Sequence, residues 1–275
     1  RVVTFNLLHG GASSGLRGDG QRLDLRLEMV VHELRALDPD VVALQEASTG
    51  RGRGNVAERL ARQLGLQYVH APATSRVFPL RFLGSAVAWL LNFNEGPAIL
   101  SRFPIAAWEA WDLPRCQRYF DPRVLLRAEL RTPWGPLQAF STHTSRDPCQ
   151  HRRIAELVAA RRGTLPSIVM GDFNATDGSP AIAALANGTG LVDAFRAANP
   201  AASGLTVWQR VEAPQPTVFR RVDFVFVLPG REAEGRVRSS RVVLDTPRRL
   251  PDGTTLWPSD HYGVLAEVEV GARRW

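Results

Sequence analysis

Apolar and polar positions recur along this chain in two periods. Short runs dense in branched aliphatic and aromatic residues read as strands: "VVTFNLL" from Val2, "PDVVALQE" from Pro39, "GPAILS" from Gly96, "VLLRAELR" from Val124 and "PLQAFSTH" from Pro136. Further strands are "SIVM" from Ser167, "RVDFVFV" from Arg221, "SRVVL" from Ser240 and "YGVLAEVEV" from Tyr262. Between them the period lengthens. Leu23, Leu27, Val30, Val31, Leu34 and Leu37 recur at helical spacing, "NVAERLARQLG" is a helix closed by Gly65, and another helix runs from about Gln150 to Arg162. "TPWGP" from Thr132 is a hairpin connection, and 10–20, 197–204 and 245–258 read as surface loops. Hairpin strands mixed with strand–helix units predict an α/β fold of packed sheets with helices outside. No repeat or linker divides the chain, so 1–275 is expected to be a single domain.

Val77 to Phe93, "VFPLRFLGSAVAWLLNF", fits neither period cleanly. It is expected to be a core helix with flanking loops; the alternative is an exposed apolar flap that touches a membrane surface.

Composition changes this picture little. The 275 residues, 44% of them hydrophobic, suffice for a sizeable core, and no apolar run is long enough to span a bilayer. "RVVTFNLL" reads as a strand rather than a leader. The net charge of +7 suggests an anionic partner, yet all 34 basic residues are Arg and none is Lys, which points to a compositional bias of the genome. Cys116 and Cys149 show no metal or redox spacing; one disulfide and two free thiols are both open. Localisation stays open too: export, membrane association and the cytoplasm are all compatible with the chain.

The candidate chemistry lies where the strands end. "VVTFN" ends in Asn6, "VVALQE" in Glu46, "LQAFSTH" in His143, and "SIVMGDFN" in Asp172 and Asn174. "RRVDFVFV" holds Asp223 inside a strand, and "PSDHYGVLAEV" begins one with Asp260 and His261. Singly, each has an ordinary explanation: a turn former, a loop cap, or Asp223 paired with Arg220 or Arg221. Together they differ, because several carboxylates at the rim of one core are costly unless they share a cation and each other's protons. Glu46, Asp172, Asp260 and the Asn6 amide oxygen are hard donors, which favour Mg2+ or Mn2+ and hence a phosphoester substrate.

At this point the chain resembles the endonuclease/exonuclease/phosphatase superfamily, with the deoxyribonuclease I-like fold. The match runs through "TFNLLHG", "VVALQE", "PAILSRFPI", "FSTHTS", "VMGDFNAT", "RVDFVFV" and "SDHYGV". The resemblance implies a four-layer α/β/β/α sandwich, two packed mixed β-sheets flanked by helices, with the site at one end. It implies Glu46 as metal ligand, with Asn6 beside it and Asp260 contributing. Asp172 would deprotonate the attacking water, and Asn174 would hold that water or a phosphate oxygen. His143 and His261 would donate to phosphoryl oxygens, Asp260 would also fix the tautomer or charge of His261, and Asp223 would support His143 or the phosphate site. Arg123 and His9 are tentative substrate contacts. Thr144 departs from the family, many members of which have Leu there.

The expected activity is a divalent-metal-dependent phosphodiesterase using in-line attack by water. Nucleic acid comes first as substrate, with "RGRGN" (Arg51 to Asn55) and "PRCQRYFDPR" (Pro114 to Arg123) as candidate contacts. A phospholipid or sphingolipid, reached through 77–93, and a small inositol-phosphate-like phosphoester are the alternatives. A binding module that has lost the chemistry is a remote one. No obligate protein partner is implied.

Overall fold

The computed structural model describes residues 1–8, 22–78, 81–116 and 121–272. The strands are, in order, β1 (Val2–Asn6), β2 (Val41–Gly50), β3 (Gly54–Asn55), β4 (Gln67–His70), β5 (Asn94–Ser101), β6 (Ile105–Asp112), β7 (Val124–Thr132) and β8 (Gly135–His143). They continue as β9 (Ser167–Asp172), β10 (Val192–Asp193), β11 (Asp223–Leu228), β12 (Ala233–Val243), β13 (Arg248–Arg249), β14 (Thr255–Leu256) and β15 (Gly263–Ala272). The helices among the described residues are α1 (Leu23–Leu37), α2 (Val56–Leu64), α3 (Arg81–Leu90), α4 (Pro148–Ala160), α5 (Pro180–Ala186) and α6 (Ala194–Ala198).

Two large mixed sheets result. The first runs β12-β15-β1-β2-β5-β4, with β3 on β2; the second runs β10-β11-β9-β8-β7-β6. Each contains one parallel pair, β1 with β2 and β8 with β9. A parallel pair cannot be closed by a tight turn, and α1 and α4 supply the crossovers.

Strand periodicity builds the layers. Val3, Phe5 and Leu44 face outward and pack on Leu27 and Leu34 of α1 and Leu60 of α2. Val2, Ala43 and Ile99 face inward against Leu126, Ile168 and Met170 of the other sheet. The far side of that sheet, through Leu125, Phe140 and Val169, meets Ile154 and Val158 of α4 and Leu185 of α5. This is the α/β/β/α sandwich expected from the sequence.

Two expectations change. β4 and β6 do not stand out in the sequence; β6 lies at a sheet edge with Ala107, Trp108 and Asp112 exposed, so its alternation is blunted. The 77–93 segment does contain a helix, α3, but not a core one. Its small residues face the protein, and Phe82, Trp89 and Leu90 face outward.

Candidate active site

The same alternation that makes the layers also makes the site. On β1, Val2, Thr4 and Asn6 share the inward parity; on β9, Ile168, Met170 and Asp172 do. Ala139 and His143 share it on β8, as do Val225 and Asp223 on β11. Register then aligns the ends: His143 pairs with Asp172 across β8–β9, and Asp223 pairs with Asp172 across β11–β9. A side chain two residues beyond the last inward apolar residue must project into the mouth of the gap between the sheets. Gly171 permits the close strand approach, since a Cβ there would lie 2.2 Å from the Thr142 carbonyl oxygen.

Glu46 arrives differently. The β2–β5 register shifts between Leu44 and Ala47, and Glu46 itself has φ 54°, an uncommon conformation for a non-glycine residue. The irregularity turns Glu46 toward Asn6, whose Nδ2 donates to Glu46 Oε1 at 3.2 Å. Asn174, the last residue of "GDFN", also has positive φ, 49°. Its backbone N–H donates to Asp172 Oδ1 at 2.8 Å, a local turn that Asn tolerates. Backbone strain gathered at two such positions is typical of functional sites.

Asp172 is the hub. Its Oδ2 accepts from Asn6 Nδ2 at 3.1 Å and lies 3.3 Å from His143 Nε2 and 3.7 Å from His261 Nε2. Asn174 Nδ2 lies 3.0 Å from His143 Nε2 and donates to the Thr144 carbonyl at 3.0 Å. On the far side of the second imidazole, His261 Nδ1 meets Asp223 Oδ2 at 2.9 Å.

That last contact corrects one assignment. Asp223, not Asp260, makes the direct contact with His261 Nδ1, while Asp260 acts on that imidazole through its charge. Its inward position on β11 aims it at the imidazole, whereas Asp260 Oδ1 lies 3.3 Å from the hydroxyl oxygen of neighbouring Ser259. A second difference concerns Asn6, whose amide oxygen accepts from Leu8 N–H at 3.0 Å while its Nδ2 serves the two carboxylates. Nor does Arg221 pair with Asp223: it is bound to Asp177 and Asp193. His9 lies outside the described residues.

The electrostatics follow from burial. Burial pushes the Asp172 carboxyl up to about 7; His261 opposes this and Asp223 adds to it. Burial works against a charged His261, but Asp223 and Asp172 outweigh it, and the imidazole is raised well above 6.5. Burial, followed by the charge of Glu46, raises Asp260, with His261 and Arg26 opposing.

A cation would relieve that strain, and two places invite one. Single atoms of Asp172, Asp223 and His261 lie within 4.8 Å of one another. There, however, Asp223 already holds His261 Nδ1, and a cation would have to compete with an imidazolium. Glu46 and Asp260 suit a divalent ion better: both are hard oxygen donors, and their mutual repulsion registers in the raised Asp260.

Above these groups opens a cavity of ≈ 540 Å³, with His143, Asp172, Asn174 and His261 lining its base and Glu46 and Asp260 also contributing. Arg123, Arg146, Arg220 and Trp208 complete its walls. Arg123 is ion-paired with Asp121 at 3.0 Å. Of the other arginines proposed for nucleic acid, Arg51 lies over the Trp89 ring and Arg115 donates to the carbonyls of Arg76 and Val77.

Sequence reasoning missed Arg26, Ser259, Arg146 and Trp208. Arg26 is 1% exposed and donates to the carbonyls of Leu7, Leu8 and Pro258, tying the end of β1 to the loop that carries Asp260. Its signal was present: a charge inside the Leu23–Leu27–Val30 stripe. Ser259 reinforces the tie by donating to Asn6 O at 2.7 Å. Arg146 and Trp208 had no signal beyond residue type.

Solved structures share this architecture. A mannosyl-6-phosphatase from Bacteroides thetaiotaomicron is 21% identical with TM-score 0.71, the match covering 98% of each chain. An endonuclease/exonuclease/phosphatase family protein from Leptotrichia buccalis is 19% identical with TM-score 0.68, also over 98% of each chain. TDP2 from Caenorhabditis elegans is 17% identical with TM-score 0.62, over 96% of this chain and 72% of that one. No curated protein sequence matches. The profile of the endonuclease/exonuclease/phosphatase family matches residues 3–261, which takes in every strand end described above. By sequence and by fold, this chain belongs to that family of phosphoester hydrolases.

Proposed function

We propose that the chain hydrolyses a small or chain-terminal phosphoester by in-line attack of water, with a divalent cation, Mg2+ or Mn2+, held by Glu46 and Asp260. The observation that carries this is the position of Asp172 Oδ2, 3.3 Å and 3.7 Å from the Nε2 atoms of two histidines on opposite sides. A carboxylate with a pKa near neutrality is suited to take a proton from water. The imidazoles are suited to donate to phosphoryl oxygens as negative charge builds, His261 as an imidazolium held in place by Asp223. Asn174 would orient the water or a phosphoryl oxygen, and Asn6 would keep Glu46 and Asp172 apart yet aligned. The cation would neutralise phosphoryl charge beside these groups.

The same fold in a mannosyl-6-phosphatase supports the small substrate, for which a cavity of ≈ 540 Å³ has room, while a neighbouring cavity of ≈ 720 Å³ that shares Trp208 and Asp260 leaves space for a longer one. Nucleic acid, placed first from the sequence, keeps one specific support. Trp208 is exposed on the cavity wall beside Arg220, which stacks 4.8 Å from the Phe219 ring, an aromatic–arginine edge of the kind that holds bases and phosphates.

The purified protein would be incubated with Mg2+ or Mn2+ and, separately, a sugar phosphate, a soluble aryl phosphodiester and supercoiled plasmid. Chelator and His261→Ala would serve as controls, and calorimetry would follow metal binding to Glu46→Gln and Asp260→Asn. Hydrolysis of the small esters, with metal binding weakened in both variants, is the expected result. Nicking of plasmid alone would move the substrate to nucleic acid. Absence of chelator-sensitive turnover on all three, or unchanged metal binding, would sink the mechanism.

A further inference from the structure

Helix α3 is built inside out. Phe82 and Trp89 are each 67% exposed, Leu90 66% and Leu83 43%. At roughly 100° per residue these four and exposed Ala86 fall within about 120° of the helix circumference. The protein-facing side carries Gly84 and Ala88 instead. That orientation is fixed: a Cβ on Gly84 would lie 2.1 Å from the Ser75 carbonyl oxygen, so a larger residue could not take the inner position. A water-soluble surface helix places its apolar stripe against the core, and this one presents it to the outside.

The surrounding charge selects the occupant. The exposed guanidinium of Arg51 lies 5.0 Å over the Trp89 ring and forms no ion pair among the described residues. Arg53 lies 5.9 Å from the ring of Phe93, just past the helix. Residues 82–93 and 50–57 together contain Arg51 and Arg53 and no carboxylate. A second copy of the same face would bring these cations against their own counterparts, which disfavours self-association. An anionic bilayer accepts both features, the arginines at the headgroups and the Trp, Phe and Leu side chains below them. At ten residues, α3 is too short to cross a bilayer and suits an in-plane position. It leads into β5, where Asn94 pairs with Thr49, three residues past Glu46 on β2, so the patch lies at the catalytic end of the first sheet.

We infer that α3, with Arg51 beside it, docks the protein on anionic phospholipid bilayers. The test uses the full chain and reads binding without catalysis, so its failure is independent of the proposed hydrolysis. Vesicles of phosphatidylglycerol with phosphatidylcholine, and of phosphatidylcholine alone, would be sedimented with wild type and with the double variant Trp89→Ser, Leu90→Ser. Arg51→Gln would be run alongside, and sedimentation velocity would follow oligomeric state. We expect partition onto the anionic vesicles that weakens with salt. It should fall at least tenfold in the double variant, with far-UV circular dichroism and hydrolysis of a soluble ester unchanged. Failure to bind anionic vesicles, or binding unaltered by the double substitution, would overturn the inference. So would a dimer abolished by the same substitutions in a protein that ignores vesicles, which would assign the face to a second copy.

Discussion

Asp223 and His261 meet through Oδ2 and Nδ1 at 2.9 Å although they lie 38 residues apart. Asp223 is wholly buried, and its Oδ1 has no hydrogen-bond partner among the described residues, so this carboxylate directs its charge to the imidazole. Replacing it with Asn keeps an acceptor but removes the charge. Asp223→Asn should lower kcat/KM by roughly 10–100-fold, as second-sphere carboxylates do, against roughly 10²–10⁴-fold for His261→Ala. The discriminating measurement is the pH–rate profile. The basic limb should move to lower pH in Asp223→Asn, because the imidazolium loses the charge that holds its proton. A basic limb that stays in place would mean that Asp223 only positions the ring.

Asp172 predicts the acid limb. The base must be ionised, so the rate should rise with pH through a value at or below about 7, the lower values applying when a bound cation draws the pKa down. The same shift has a stability consequence. A carboxyl raised from 3.8 to about 7 in the folded state favours folding fully only below 3.8 and loses that contribution as pH rises through 7. Metal-free Asp172→Asn should therefore be nearly inactive yet more stable at pH 8, by roughly 2 kcal/mol, and no more stable at pH 3.5. Thermal melts at the two pH values would check this. Equal melting temperatures for wild type and variant at pH 8 would count against a strained, buried carboxylate.

Much of this was legible in the sequence because period-two alternation is a strong signal. Once "SIVMGD" is read as a strand with Ile168 and Met170 inward, Asp172 must point into the same gap, and so for Asn6, His143 and Asp223 on theirs. The pairing of Asp223 with His261 was not legible, since it depends on register between β9 and β11 and on a loop of irregular course. The outward face of α3 was hidden for another reason. Apolar content suggests burial, and only the close approach of Gly84 to Ser75 reveals which side is inside.

Arg26 offers a test of how far the site depends on its scaffold. The side chain is buried on α1 and satisfies three carbonyls, at Leu7, Leu8 and Pro258, in the two segments that bring Asn6 and Asp260 together. Arg26→Met fills similar space but leaves those carbonyls without donors, at a cost of about 2–4 kcal/mol. Activity should fall more than the stability loss explains, because Asp260 is then less firmly placed. Denaturant titration together with Mn2+ affinity would separate the two effects, with metal binding weakened at temperatures where the variant is fully folded. Undiminished affinity in the folded variant would make Arg26 a purely structural residue.

The disulfide between Cys116 and Cys149 bears on the cavity rather than on its base. Cys149 lies in the first turn of α4, directly after the segment carrying Ser145 and Arg146. Gln150 next to it donates to Pro114 O at 3.0 Å and accepts from Ser145 N–H at 2.8 Å, so the crosslink and this side chain hold the same rim. Closing a loop with a sequence separation of 33 is worth up to about 3–4 kcal/mol by chain entropy. The double variant Cys116→Ser, Cys149→Ser should lose about 2–4 kcal/mol of unfolding free energy, read by denaturant titration against the oxidised wild type, with the reduced wild type matching the variant. Steady-state kinetics should show KM raised several-fold while kcat changes little, because His143 and Asp172 sit on strands the crosslink does not touch. A collapse of kcat with KM preserved would instead place the 144–147 segment in the chemical step, with Arg146 as the first residue to replace.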